Sequence, residues 1–441
     1  MKLWKRIWIM AVLLTFVTQL CGCVMTAEEM YCLPRRSEQY DNLQAVIDPA
    51  MEDLEHAAPL TGDNQQTVQS ADLDGDGVEE VILFAKGSDE HPLKILIFRQ
   101  EDQLYSLFAT IESYGSDFDQ VAYVQMDGAP GLEMVVGRQL SDQVPGNVTV
   151  YRVRDGHMEQ VMNTGYRQFT LCDLDDDGLG ELLVLTGTSD ADTSIAVRYT
   201  TRNGNVERSA EAALSEPVDQ VRRITTGNLV GGQRAVFVAS TVDANTLVTD
   251  VFALRNGTLT NLAPLSKSGT NIKTLRNYYV YAEDIDQDGE VELPNLITMR
   301  SDQLHALIGG EHLIRWVALS PDGQETDKMY TYHNYGEGWY MELPGIYADR
   351  ICVRRQDTGC YDFSVWDNSG TKLTELWKIY VFTGEDRSAL AVADGRFLLL
   401  KTDTVAYAAS LELGGRELGV TKEALADMFR LIQSSWNTGK K

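Results

Sequence analysis

The chain has 441 residues, with 65 Asp+Glu against 38 Lys+Arg, and its formal charge of −27 excludes the basic footprint that a nucleic-acid partner requires. Hydrophobic residues at 44% and charged ones at 23% exclude an acidic disordered chain, and six cysteines are too few for a disulfide scaffold. The 36 Gly and 11 Pro favour a fold of many tight turns, over about three domain lengths or one repeat domain with an appendage.

Lys2, Lys5 and Arg6 precede the apolar run Ile7–Val17, broken only by Thr15. A positive segment followed by so short an apolar one reads as a secretory signal and not as a membrane span. Leu20-Cys21-Gly22-Cys23 follows and resembles the lipobox of bacterial lipoproteins, although Cys21 stands where a small or β-branched residue is usual. The resemblance implies a signal peptide over 1–22 and a lipid on Cys23. The mature chain would then be anchored on the extracytoplasmic face of the cell membrane. Residues 23–60 read as a spacer with a short helix: Leu43, Val46, Ile47 and Leu54 carry a helical pattern that Pro49 interrupts.

A repeat begins at residue 72. Asp72-Leu73-Asp74-Gly75-Asp76-Gly77-Val78-Glu79-Glu80 leads into the apolar run Val81–Phe84. Asp173-Leu174-Asp175-Asp176-Asp177-Gly178-Leu179-Gly180-Glu181 and Asp284-Ile285-Asp286-Gln287-Asp288-Gly289-Glu290-Val291-Glu292 do the same before their own apolar runs. Weaker copies start at Gln125 and Thr226; the second keeps Asp127 and Glu133, and the fourth has no carboxylate at an equivalent position. The starts are some fifty residues apart and the intervals hold about four strand-like runs each, the size of a β-propeller blade. The expected fold is mainly β: a propeller of about five blades over 61–325, or six or seven if the chain beyond 330 adds more.

Asp at positions 1, 3 and 5 of each full loop, Gly at 6 and Glu at 9 suit one hard cation, with the position-7 carbonyl as a further oxygen. Oxygen-only donors select Ca²⁺ over Zn²⁺ or Cu²⁺. The loops resemble the FG-GAP and VCBS repeats of integrin-like propellers and bacterial surface proteins, without the flanking Phe-Gly and Gly-Ala-Pro signatures. The resemblance implies ligand roles for Asp72, Asp74, Asp76 and Glu80, for Asp173, Asp175, Asp177 and Glu181, and for Asp284, Asp286, Asp288 and Glu292. It adds the carbonyls of Val78, Leu179 and Glu290, giving two or three Ca²⁺ sites. The alternative is an acidic turn, in which four carboxylates within nine residues repel one another.

Beyond 330 the spacing is lost. Tyr330, Tyr332, Tyr335, Trp339 and Tyr340 form an aromatic cluster, strand-like runs follow, and Thr421 caps an expected amphipathic helix bearing Leu425, Met428, Phe429, Ile432 and Trp436. Residues 330–441 therefore read as an α+β domain, loosely similar to PsbP/Mog1-like domains. Cys352 and Cys360 flank a turn and are either a disulfide or two unrelated thiols; Cys32 and Cys172 have no evident partner. The chain contains no hydrolase, P-loop, zinc-protease or dinucleotide motif, and its six His are scattered. The expectation is a non-enzymatic binding or adhesion module for a protein or glycan at the cell surface. An extracellular carbohydrate-active or other hydrolase or lyase built on a propeller is the alternative.

Overall fold

The computed structural model describes residues 38–141, 144–187, 193–244, 246–264, 271–276, 280–299 and 312–433. Residues 1–22, Cys23, Cys32 and Trp436 lie outside them. The described chain is mainly β, in six antiparallel sheets. It divides into two compact units, one drawing on 38–58, 66–71 and 78–114, the other on 59–65, 72–77 and 115–433.

In the first unit, strands Val68–Ala71, Glu80–Lys86, Leu93–Glu101 and Leu104–Ser113, with the short Glu55–His56, make sheet one. The middle strands are apolar on both faces, which suits strands covered from both sides, while Leu104–Ser113 is largely exposed. Helix Glu38–Ala50 covers one face by packing Leu43, Val46 and Ile47 on Leu83, Leu96 and Phe98. The Asn42 side chain accepts the Tyr105 N–H at 2.6 Å. The expected spacer helix is thus a packed element, and Pro49 is its penultimate residue, so the bond it removes lies at the helix's end and leaves the preceding turns intact.

The second unit holds five sheets. Sheet two comprises Asp117–Val124, Glu133–Gln139, Gly146–Arg154 and His157–Tyr166; sheet three comprises Gln168–Cys172, Glu181–Gly187, Ser194–Arg202 and Asn205–Ala213. Sheet four runs Val221–Asn228, Arg234–Thr241, Leu247–Arg255 and Thr258–Asn261. Sheet five joins Glu292–Thr298, His312–Leu319, Glu325–Asn334 and Trp339–Leu343, and Phe429–Leu431 adds an edge. Sheet six orders Ile351–Asp357, Cys360–Trp366, Leu373–Thr383, Val405–Leu411 and Phe397–Lys401.

Successive sheets share cores. Val135 and Val148 of sheet two meet Phe169 and Leu182 of sheet three, and Leu183 and Leu185 meet Val236 and Phe252 of sheet four. Phe237 and Val251 meet Leu293 and Val317 of sheet five, and Leu313 and Trp339 meet Phe363 and Trp377 of sheet six.

Three expectations change here. The boundary drawn between 325 and 330 falls inside sheet five, whose strand Glu325–Asn334 runs across it. The C-terminal helix is real at its start, where Thr421 accepts the Ala424 N–H, but it ends at Met428. Phe429 turns into a strand paired with Trp339–Met341 and stacks on Trp339 at 5.6 Å, because that edge offers both a hydrogen-bond ladder and an aromatic face. Cys352 and Cys360 are not bonded to each other. The hairpin sets Cys352 opposite Ser364 and Cys360 opposite Asp357, so the tight turn leaves the two thiols out of register.

A fragment of residues 330–441 lacks Glu292–Thr298 and His312–Leu319, which complete sheet five and bring Leu313 to the shared core, and should give no cooperative melt by circular dichroism. In the full chain, Phe429→Ala should cost about 3–5 kcal/mol, read from denaturant midpoints. A fragment that melts cooperatively would restore the boundary at 330.

Candidate metal loops

The first and third acidic loops join two strand ends, the fifth runs from the isolated bridge residue Glu283 into Glu292–Thr298, and each must reverse the chain within about eight residues. Gly77, Gly178 and Gly289 adopt φ of +88°, +84° and +91°, the left-handed region that a side chain disfavours. That turn points the glycine N–H back at the first carboxylate. Gly77 N bonds Asp72 Oδ2 at 3.0 Å, Gly178 N bonds Asp173 Oδ2 at 2.9 Å, and Gly289 N bonds Asp284 Oδ2 at 3.0 Å. Inner carboxylates are fixed likewise: Asp74 Oδ1 accepts Asp76 N at 3.1 Å, and Asp286 Oδ1 accepts Asp288 N at 3.2 Å. Asp177 and Asp288 each accept the N–H two residues on at 2.9 Å.

The ninth-position acid has a second duty. Glu181 Oε2 accepts Leu174 N at 3.2 Å and Glu292 Oε2 accepts Ile285 N at 3.1 Å, so each closes its loop onto the backbone. Glu133, in the loop with fewer acids, does the same with Met126 N at 2.7 Å. Glu80 is buried at the start of its strand, with Arg99 Nε 3.4 Å from its Oε1.

Side-chain cations enter these loops from neighbouring strands. Arg198 meets Asp175 and both oxygens of Glu181, its Nε 2.8 Å from Oε2. Arg152 pairs with Asp127 at 2.7 Å, and Lys328 pairs with Asp288 and, at 2.8 Å, with Glu290. In the second loop Gln125 stands at position 1. Its amide donates to the Ala129 carbonyl and, at 2.8 Å, to that of Gly131, while its oxygen accepts Gly128 N at 2.8 Å. That loop closes on neutral hydrogen bonds and one arginine.

The donor oxygens of Asp173, Asp175 and Asp177 lie within 4.8 Å of one another, as do those of Asp284, Asp286 and Glu292, and such groups could hold a metal ion. The two differ. In the third loop Arg198 satisfies Glu181, leaving the aspartates outermost. In the fifth, Glu292 is fully buried and its Oε1 has no hydrogen-bond partner. Burial first, then Asp286 and Asp288, pushes its acid up to about 8. Burial and the adjacent Asp288 also raise Asp286. An all-oxygen donor set with a buried, unmet carboxylate oxygen fits a hard cation. Lys328 holds Asp288 below the usual carboxylate range and draws it to the loop's outer side.

The fourth loop is a tight turn closed by Leu229 N on Gln233 O at 2.8 Å. It reaches into the fifth: Asn228 Nδ2 donates to the Gly289 carbonyl at 2.9 Å, and Gly231 N donates to Glu290 Oε1 at 2.9 Å. Val291 N bonds Asn228 O at 2.9 Å. Loops two and three are joined likewise by Gly180 N on Gln125 O at 2.7 Å, and a Cβ on Gly180 would lie 2.2 Å from Val124 Cγ2.

Sequence reasoning missed Arg198, Arg152 and Lys328, whose strands are identified only by the pairing register. It also took the six His as scattered. Yet His312 and His333, on neighbouring strands, line one cavity of about 310 Å³ with Tyr332, Asn334, Tyr335, Arg355 and Tyr361. Trp339, of the aromatic cluster, is fully buried among Tyr332, Tyr361, Phe363 and Phe429 and is core.

No family model and no curated protein matches the chain. Among solved structures it is similar, at 12% identity and a TM-score of 0.28, to the exotype rhamnogalacturonan lyase YesX, over 74% of this chain and 76% of that one. At the same identity and score it is similar to a Lactobacillus plantarum protein (72% and 86%) and to Bacillus licheniformis rhamnogalacturonan lyase PL11 (70% and 71%).

Glu133 offers a pH test. Burial, the largest cause, raises its acid from 4.5 to about 7. Its folded state therefore holds a proton that the unfolded chain has released, and stability falls as pH rises from about 4.5 through about 7. Glu133→Gln keeps an acceptor for Met126 N and should flatten that fall, leaving the variant the more stable by up to about 3 kcal/mol at pH 8. Parallel denaturant curves at pH 5 and pH 8 for the two proteins would refute this.

Proposed function

We propose that the chain is a lipid-anchored extracytoplasmic protein whose repeated sheets are β-propeller blades, stapled by Ca²⁺ in the acidic loops, and that it serves as a non-enzymatic binding module. The blade reading is supported by four-strand meanders at a spacing near fifty residues, each sharing a core with the next within the second unit. One observation carries the metal: the buried Glu292 Oε1, without a partner, beside Asp284 and Asp286. Ca²⁺ would meet that oxygen in the fifth loop. It would bind more weakly in the third loop, where Arg198 already neutralises Glu181. Held by oxygens from both ends of one loop, the ion would act as a staple. The anchor rests on Leu20-Cys21-Gly22-Cys23 alone.

Binding to the folded state only stabilises by about 2.7 kcal/mol per site at a hundredfold excess over Kd. A chelator should lower the melting temperature, and Ca²⁺ should restore it better than Mg²⁺, which demands a more rigid octahedral cage. Asp284→Asn should remove most of the Ca²⁺ response, and Asp173→Asn much less. Superimposable calorimetric melts of chelated and Ca²⁺-loaded protein would reduce the loops to acidic turns.

The anchor has its own test. Cys23→Ala should move the protein from the membrane fraction to the soluble one, and mass spectrometry of the parent's N-terminal peptide should find a diacylglycerol on Cys23. Unchanged fractionation of the variant would refute the anchor.

A further inference from the structure

Each ninth-position acid opens a strand, and the next strand of its sheet runs antiparallel beside it, so the register sets a fixed residue against the carboxylate. One step beyond the pair Val81 and Phe98, Arg99 faces Glu80, with Nε 3.4 Å from Oε1. One step beyond Met134 and Tyr151, Arg152 faces Glu133 and reaches into the same loop to pair with Asp127. In sheet three the arginine sits on the diagonal. Arg198 stands opposite Leu183, two residues after Glu181, and takes Asp175 and both oxygens of Glu181. Sheet four has Arg234 in place of the acid, and the residues facing that end are Phe252 and Leu254.

Sheet five differs. Ala318 faces Glu292, and Trp316 stands at the diagonal position that Arg198 fills in sheet three. Both are fully buried, and the Trp316 Nε1–H is donated to the Thr331 hydroxyl at 2.8 Å, so neither meets the carboxylate. Glu292 is also the acid whose Oε1 is buried without a hydrogen-bond partner. The missing arginine and the unmet oxygen fall in the same loop. A guanidinium is permanently charged, so a loop that holds one has its buried carboxylate compensated. A loop without one keeps an oxygen that a hard cation would meet.

We propose that the residue set against the ninth-position acid selects the loop's counter-cation: Ala318 opens the fifth loop to Ca²⁺, and Arg198 occupies the third loop in place of an ion. Removing that guanidinium returns Glu181 to a loop in which donor oxygens of Asp173, Asp175 and Asp177 already lie within 4.8 Å of one another. The third loop is thus a latent metal site. The assignment deepens the Ca²⁺ reading above and rests on it.

Calorimetric Ca²⁺ titration and thermal melts of the full chain, with and without chelator, test it. Arg198→Gln should melt below the parent in chelator, recover in Ca²⁺, and bind one more Ca²⁺ than the parent. Adding Asp173→Asn should remove that extra ion, and Arg198→Lys, which keeps a cation, should not acquire it. Ala318→Arg should weaken Ca²⁺ binding by the fifth loop roughly tenfold or more and shrink the chelator-sensitive shift in melting temperature. Ala318→Met, which adds bulk without charge, should keep the affinity. Should either buried substitution unfold the chain, the Arg198 set decides alone. An Arg198→Gln protein with the parent's Ca²⁺ count, an Arg198→Lys protein that gains the ion as well, or an Arg198→Gln chain that Ca²⁺ does not restore would overturn the proposal. If the parent keeps its Ca²⁺-dependent melt in that case, selection by arginine has failed and the fifth-loop site stands. A parent with no Ca²⁺ response would overturn both.

Discussion

A carboxylate buried at the entry to a strand is unfavourable unless donors meet it, and this chain places one there four times. Glu80, Glu133, Glu181 and Glu292 are all buried and each is the first residue of its strand. In three of them the carboxylate accepts the N–H of the residue seven positions earlier. That bond ties the exit of one strand to the entry of the next and sets how tightly the chain reverses. The positive-φ glycine and the aspartates arranged around it follow from that closure.

Closing the loop concentrates negative charge, and the loops offset it by different means. Arg152 enters the second loop and Arg198 the third, each from a strand of the same sheet. These ion pairs are buried, so removing one partner would leave the other's charge without compensation, a larger loss than breaking an exposed pair. In the fifth loop the available cation, Lys328, goes to Asp288 and Glu290 and not to Glu292. The same sequence pattern therefore yields one loop neutralised by arginine and one with a buried oxygen still unmet. Loop composition by itself does not distinguish them.

The parts legible in sequence were those encoded locally. Asp at alternate positions with Gly at the sixth predicts the turn, and the glycines adopt the expected left-handed backbone. The apolar runs after the loops became buried strands, and the fourth loop, which has no acids, closes on its own backbone through Leu229 N and Gln233 O. What depends on pairing was not legible. Arg198 reaches Glu181 across a strand pair, and nothing in the intervening residues encodes that register. The stripe of Leu425, Met428 and Phe429 fits a helix, yet the same residues also satisfy a short helix followed by an edge strand. Trp339 decides between them by giving Phe429 an aromatic face. Cys352 and Cys360 looked opposed because a hairpin was expected; the turn's length put them out of register.

The fourth loop shows why a repeat can lose its acids and remain necessary. Asn228 and Gly231 both donate to the fifth loop, one to a backbone carbonyl and one to the Glu290 carboxylate. An aspartate at 228 would have no hydrogen to give the Gly289 carbonyl and would set a second negative charge near Glu290. The neutral loop thus acts as the outer wall of its acidic neighbour, holding the backbone of Gly289 and Glu290 where the turn needs them. Because the sheets that carry these two loops also share the core around Phe237, Val251 and Leu293, a displacement of one loop is resisted at both ends of the strands beneath it. The acidic loop is therefore positioned by two sheets, and its geometry belongs to the pair and not to the nine residues that spell it.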